Sequence, residues 1–229
     1  MTYREVFHKP HTMLAVVHIK TLAQALENVA LAEGEGANGV FLIDHATRAN
    51  LITIYRTVRE KFPTLWAGAN WLDRSADEAL AAIPDDVLGL WTDNAGINED
   101  PEDPAATARA NWRICQERRW PGLYFGGFAF KYQQPVENLA PLAELAAKYM
   151  DVVTTSGLAT GEAPDVEKIQ TIRHAIGPET TLAIASGMSS ENVGAYLGLA
   201  DCFLVATSIS GSFFNLDAAK VRAFAKALA

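Results

Sequence analysis

The stretch Leu182-Ala-Ile-Ala-Ser-Gly-Met-Ser-Ser-Glu-Asn192, followed by Phe203-Leu-Val-Ala-Thr-Ser-Ile-Ser-Gly211, decides the fold. Each segment opens with a short apolar run and then breaks into serine, threonine and glycine. A brief run of this kind, with no polar alternation, is expected of a parallel strand covered on both faces. The small polar residues then carry the chain from the strand toward a helix.

The same unit repeats upstream. Strands are predicted at Leu14–His18, Val40–Asp44, Leu65–Ala69, Val87–Trp91, Leu123–Phe128, Val152–Thr155, Leu182–Ala185 and Phe203–Ala206. Helical patterns with recognisable ends lie between them. Thr21 to Gln24 and Ser75 to Glu78 read as capping boxes, in which a hydroxyl and a side chain three residues on satisfy each other's free amides. Asp103-Pro104 reads as a cap followed by a first-turn proline, and Pro164 as the opening of a helix that Gly177 stops. The last helix is expected from about Asp217 to Leu228.

Eight such β→α units in 229 residues give an α/β chain of the (β/α)8 TIM-barrel class, read as a single domain over 1–229. An open doubly wound sheet would carry a G-x-G-x-x-G turn after the first strand, and His18-Ile-Lys-Thr-Leu-Ala stands there instead.

Composition narrows the partners. A net charge of -8 with no basic block argues against nucleic acid or an anionic membrane as the main partner. The run Met13 to Val17 is too short for a membrane span or a secretory core, so no membrane insertion is expected. Cys115 and Cys202 each fall inside a predicted element and read as buried thiols of a reducing compartment, which makes the cytoplasm the expectation. Self-association is left open, since barrels often pair.

Ligands of this fold bind at the C-terminal ends of the strands, where the sequence is unusually polar. His18, Asp44 and Lys131 are the candidates for proton transfer or carbonyl polarisation. Asn70, Asp93, Ser156 and Gly157 are candidate substrate contacts. Ser186, Gly187, Thr207 and Ser208 follow the seventh and eighth strands, the usual phosphate position of such barrels, and supply hydroxyls and close backbone approach. Adjacent residues of a strand point to opposite faces, so only one of Asp44 and His45 should enter the site; periodicity does not say which. No H-x-H or H-E-x-x-H spacing supports a metal centre, so a divalent ion is left unassigned and no organic cofactor is expected. No G-x-S-x-G elbow supports a serine hydrolase.

The segments Asp151 to Asp165, Ala185 to Val193 and Ala200 to Ser208 resemble the C-terminal half of the BtpA-like family, whose members are expected to be ribulose-phosphate-binding TIM barrels. Val16-Val-His18 and Gly68-Ala-Asn70 extend the resemblance more loosely toward the N-terminus. The chain departs from the family pattern after the first strand, where Lys20-Thr-Leu-Ala replaces a proline- and glycine-rich turn, and at Asp44-His45, Ser210 and Trp91-Thr-Asp-Asn94. The resemblance implies a phosphate-binding barrel. Its members have been linked to photosystem assembly, phosphoribosyl transfer and sugar metabolism.

The leading expectation is an enzyme acting on a phosphorylated sugar or nucleotide-like small molecule, by isomerase, epimerase or lyase chemistry. The alternatives are a non-catalytic assembly or regulatory barrel with a vestigial pocket, and a phosphoribosyl transfer enzyme.

Overall fold

The computed structural model describes residues 1–45 and 51–229. A one-turn helix α1 (Tyr3–Val6) precedes the alternating units: β1 (Thr12–Ile19), α2 (Leu22–Gly34), β2 (Gly39–Asp44), α3 (Leu51–Lys61), β3 (Trp66–Asn70), α4 (Ala76–Ala82) and β4 (Gly89–Thr92). They continue with α5 (Ala106–Arg118), β5 (Leu123–Gly127), α6 (Leu139–Ala146), β6 (Val152–Thr155), α7 (Val166–Ile176), β7 (Thr181–Ala185) and β8 (Cys202–Val205). A short antiparallel hairpin, β9 (Ser210–Ser212) with β10 (Asn215–Leu216), follows β8, and α8 (Ala218–Ala227) ends the chain. Strands β1 to β8 pair in sequence order, all parallel, and β1 pairs with β8 to close the barrel. The (β/α)8 class expected from the sequence is the observed one.

Side-chain alternation along each strand divides the core in two. Met13, Ala15, Val17, Val40, Leu42, Ile184 and Phe203 face outward and pack under the helices. Leu14, Val16, Phe41, Ile43, Trp66, Trp91, Phe125 and Leu204 face inward and fill the barrel. Both sets are buried, which is why the strands read as unbroken apolar runs. Within the barrel the Phe41 ring meets Phe125, Trp66 and Trp91 edge-on, with centroids 5.0, 5.2 and 5.7 Å away. Offset and edge-on contacts suit the ring quadrupoles better than face-to-face stacking.

Helix α1 closes the N-terminal end. Thr2 and Glu5 form a capping box for this single turn, and Tyr3 and Phe7 reach the interior cluster. The Phe7 ring lies 5.3 Å from Trp66, and the Tyr3 hydroxyl bonds that of Thr12.

Several helix ends differ from expectation. Asp103 does not cap α5: its carboxylate accepts from the Ala105 amide, and the helix begins beyond it. Pro164 lies before α7, whose N-cap is Asp165. The segments after β7 and β8 each form only a single 3-10 turn (Val193–Tyr196 and Thr207–Ile209), so no long helix dipole points at the mouth from either. Thr21 caps α2 as expected, accepting from the Gln24 amide at 3.2 Å, while the Gln24 side chain accepts from Lys20 N at 2.9 Å. No helix among the described residues is long and apolar enough to cross a membrane.

Candidate functional site

The inward-facing parity of each strand, carried to its C-terminal end, brings particular residues to the mouth. On β1 the series Leu14, Val16 runs on to His18; on β2 Phe41, Ile43 runs on to His45; past β4, Trp91 runs on to Asp93. These three side chains, with Lys131 from the loop after β5, line a cavity of about 1000 Å³. The segments after β7 and β8 and the hairpin complete its wall, with Ser186, Gly187, Thr207, Ser208 and Phe213 among the lining residues.

The two histidines touch. His18 Nδ1 lies 2.7 Å from His45 Nε2, so one ring carries the proton shared between them. Burial pushes His18 down to about 4, helped by the neighbouring His45 and by the positive charge of Lys131. His45 is also lowered by burial, against the opposing pull of Asp44. Both rings are therefore neutral near pH 7, each with donor and acceptor capacity. Asp93 shifts the other way: burial raises its carboxyl pKa, while Lys131 and a long bond from Asn70 Nδ2, at 3.4 Å, work against the shift. Neutral imidazoles beside a carboxyl whose pKa burial raises form a set able to exchange a proton with a bound ligand.

The sequence reading placed Asp44 at the mouth. The structure turns it to the helix side of β2, in the Val40 and Leu42 series, where it is buried; His45 enters instead. Asn70 shares the inward parity but lies beneath the surface, behind Asp93, and does not line the cavity. Ser156 and Gly157 also lie behind the wall. The Ser156 hydroxyl accepts from the Lys131 amide at 2.7 Å and donates to the Gly157 carbonyl at 2.9 Å, so it holds the lysine's backbone.

Lys168, which sequence reasoning missed, braces the same loop. Its ammonium donates to the carbonyls of Ala129 (2.5 Å) and Ser156 (2.7 Å), tying the loop after β5 to the loop after β6. Burial lowers its pKa to about 8, with Asp165 opposing. The loop needs such bracing, because Ala129 and Tyr132 both adopt the left-handed conformation that side chains disfavour. A lysine in a half-polar helix carries no sequence signal of this role.

On the opposite wall, Gly187 has φ +69°, and a Cβ there would fall 2.0 Å from the Ala163 amide nitrogen. A Cβ on Gly157 would fall 2.2 Å from the Glu162 carbonyl, so residues 162–163 press against both glycines. The Ser186 hydroxyl, expected to point at a ligand, donates to the carbonyls of Ala159 and Glu162 (both 3.0 Å), and that of Ser208 donates to Met188 O at 2.5 Å. The donors left on this wall are main-chain and Thr207 groups. No hydrogen bond among the described residues occupies the amides of Gly187 and Met188 or the Thr207 hydroxyl.

Hairpin β9–β10 projects beside the histidines. The Phe213 ring lies nearly parallel to His18, at 4.5 Å and 15°, and 5.3 Å from His45. No group of three or more His, Cys, Asp or Glu side chains among the described residues is arranged to hold a metal ion.

Parallel topology, ring closure and a polar C-terminal mouth define the chain as a TIM barrel. Residues 136–229 match the model of the BtpA family, which bears out the resemblance over the part of the chain that follows β5. No curated protein is matched. Among solved structures, phosphoribosyl anthranilate isomerase from Thermus Thermophilus is similar with TM-score 0.62 and 20% identity, over 94% of this chain and 98% of that one. Thiamine phosphate pyrophosphorylase from Pyrococcus furiosus gives 0.66 and 17%, over 97% and 98%. The 3-keto-L-gulonate-6-phosphate decarboxylase from Vibrio cholerae gives 0.67 and 11%, over 96% and 98%. At these identities the likeness concerns the fold.

Proposed function

We propose that the chain is an enzyme of the isomerase, epimerase or lyase type, acting on a phosphorylated small molecule at the C-terminal mouth. The observation that carries this reading is the division of one cavity into two chemistries. His18, His45, Asp93 and Lys131 stand on one side, and unpaired amides with a threonine hydroxyl on the other. The phosphate would rest on the main-chain amides of Gly187 and Met188 and on the Thr207 hydroxyl. Backbone amides suit this task because they present donors without a competing charge. Lys131 would polarise a carbonyl or stabilise an enediolate-like oxyanion, and the His18–His45 pair and Asp93 would move the proton. The three similar structures reported above are all named for phosphorylated compounds, which agrees with this reading.

A thermal-shift screen tests it, with inorganic phosphate, pentose and hexose phosphates and nucleotides as ligands. A ligand at 100 times its dissociation constant stabilises by roughly 2.7 kcal/mol. A selective shift that disappears in Thr207→Val is the expected outcome. A flat response to every phosphorylated compound, from protein of normal stability, would turn the reading to a non-catalytic assembly or regulatory barrel.

A further inference from the structure

Exposed apolar side chains gather at the mouth. Leu72, Tyr132 and Phe213 are 42, 78 and 58% exposed, come from the ends of β3, β5 and β8, and all line the same cavity. Large apolar groups clustered in water mark a surface that meets something else.

Phe213 is the most deliberately placed of the three. The hairpin that carries it is fastened to α2 by two amide side chains. Asn28, almost fully buried, donates to Phe214 O at 2.7 Å and accepts from Leu216 N at 3.0 Å. Gln24, already part of the α2 cap, donates to both the His18 carbonyl (3.1 Å) and Phe214 O. The Lys20 ammonium sits 5.6 Å over the Phe214 ring. One face of the Phe213 ring is stacked on His18, and the residue stays more than half exposed. A hairpin held this firmly is positioning its tip rather than shielding the core.

The cavity size points the same way. At about 1000 Å³ it stands at the top of the range of roughly 300–1,000 Å³ that encloses drug-sized ligands. A bare pentose phosphate would leave the apolar part of the mouth filled only by water.

We propose that the ligand is a phosphate ester that also bears a flat aromatic ring, bound with its phosphate at Gly187 and Thr207 and its ring against Phe213. This rests on the phosphate reading above and adds the chemistry of the ligand's other end. The sugar or linker would pass His18, with Leu72 and Tyr132 elsewhere on the wall of the same cavity. Aromatic groups suit such a platform because stacking asks for a flat face and no particular hydrogen-bond pattern.

Two matched ligand pairs test this by isothermal titration: ribose 5-phosphate against adenosine 5′-monophosphate, and inorganic phosphate against phenyl phosphate. In each pair the aromatic member should bind about tenfold tighter or better. Phe213→Leu, which keeps an apolar side chain but loses the flat ring, should remove most of that gain, so that the two members of each pair bind within about twofold of each other. Equal affinities within both pairs would overturn the aromatic assignment and leave the phosphate site standing. Failure of all four ligands to bind would overturn the phosphate reading and this inference with it. Sedimentation of the wild type and Phe213→Ser covers the remaining occupant: a dimer dispersed by the substitution would put a second copy of the chain over the ring and contradict the proposal.

Discussion

At the N-terminal end of the barrel, Tyr3 and Phe7 reach inward and seal the core, and the hydroxyls of Tyr3 and Thr12 bond each other. At the C-terminal end the same inward-facing positions carry His18, His45 and Asp93, which line the open cavity, with the exposed hairpin tip stacked on His18. The alternation is one rule applied along each strand. Its two ends differ because the N-terminal end is capped by an aromatic turn while the C-terminal end is met by loops of serine, threonine and glycine. A second cavity, of about 470 Å³, does lie at the N-terminal end, bordered by His8, Lys9 and His11. Tyr3 and Phe7 of the aromatic cap form part of its lining, and it shares no lining residue with the mouth. One end maintains the fold, and the other is free to hold chemistry.

That contrast can be broken by mutation, and the largest effect belongs to the mouth. His18→Asn or Asp93→Asn should lower turnover of the ligand identified by binding by roughly 10²–10⁴-fold, the usual contribution of a positioned acid or base. Urea unfolding should move little in either variant. A loss of stability matching the loss of turnover would make these residues structural and erase the distinction between the ends.

Phe7→Ala should do the reverse. Removing a buried aromatic costs roughly 3–5 kcal/mol, readable as a fall in the urea midpoint, while affinity at the mouth stays within about twofold under conditions where the protein is folded. If ligand affinity instead fell with stability, the two ends would be coupled through the aromatic core around Phe41.

A smaller effect follows from pH. Folded His18 titrates near 4 and the unfolded residue near 6.5, so between these values the unfolded chain binds the proton that the folded one resists. Stability contributed by the neutral ring is complete above about pH 6.5 and is lost as pH falls through about 4. The difference in melting temperature between wild type and His18→Phe should therefore shift against wild type across that window, by about 2–4 °C for each kcal/mol involved. A constant difference from pH 7 to pH 4 would show that burial does not hold the ring neutral.

The smallest effect is expected at Asp44. Asp44→Asn should leave turnover within about threefold, because the side chain lies on the helix side of β2. A drop as large as that of His18→Asn would place this carboxylate back at the mouth and contradict the parity argument.

Much of the fold was legible because parallel strands buried on both faces leave an apolar run that needs no partner to be read. The same continuity hid the facing. With Val40, Phe41, Leu42 and Ile43 all apolar, nothing in the sequence distinguished the Asp44 series from the His45 series; only barrel closure assigns an inside. The candidate mouth was legible as a ring of polar strand ends, and the structure places His18, Asp93, Lys131, Ser186, Gly187, Thr207 and Ser208 along one cavity. Supporting residues were harder to see. Ser156 and Lys168 act through contacts to carbonyls and amides in neighbouring loops, which local spacing does not encode. The aromatic cap left a trace that went unread, the Thr2 to Glu5 capping box ahead of Phe7. The hairpin after β8 is too short to show alternation, and it depends on Asn28 and Gln24 far upstream.

The central claim is that ligand chemistry belongs to the C-terminal mouth alone. Backbone amide NMR during titration with ribose 5-phosphate tests it most directly. The account predicts shifts concentrated at Gly187, Met188, Thr207 and Ser208, with His18 and Lys131 moving and Tyr3 to His11 unchanged. Shifts centred on His8, Lys9 and His11, with the mouth silent, would contradict it.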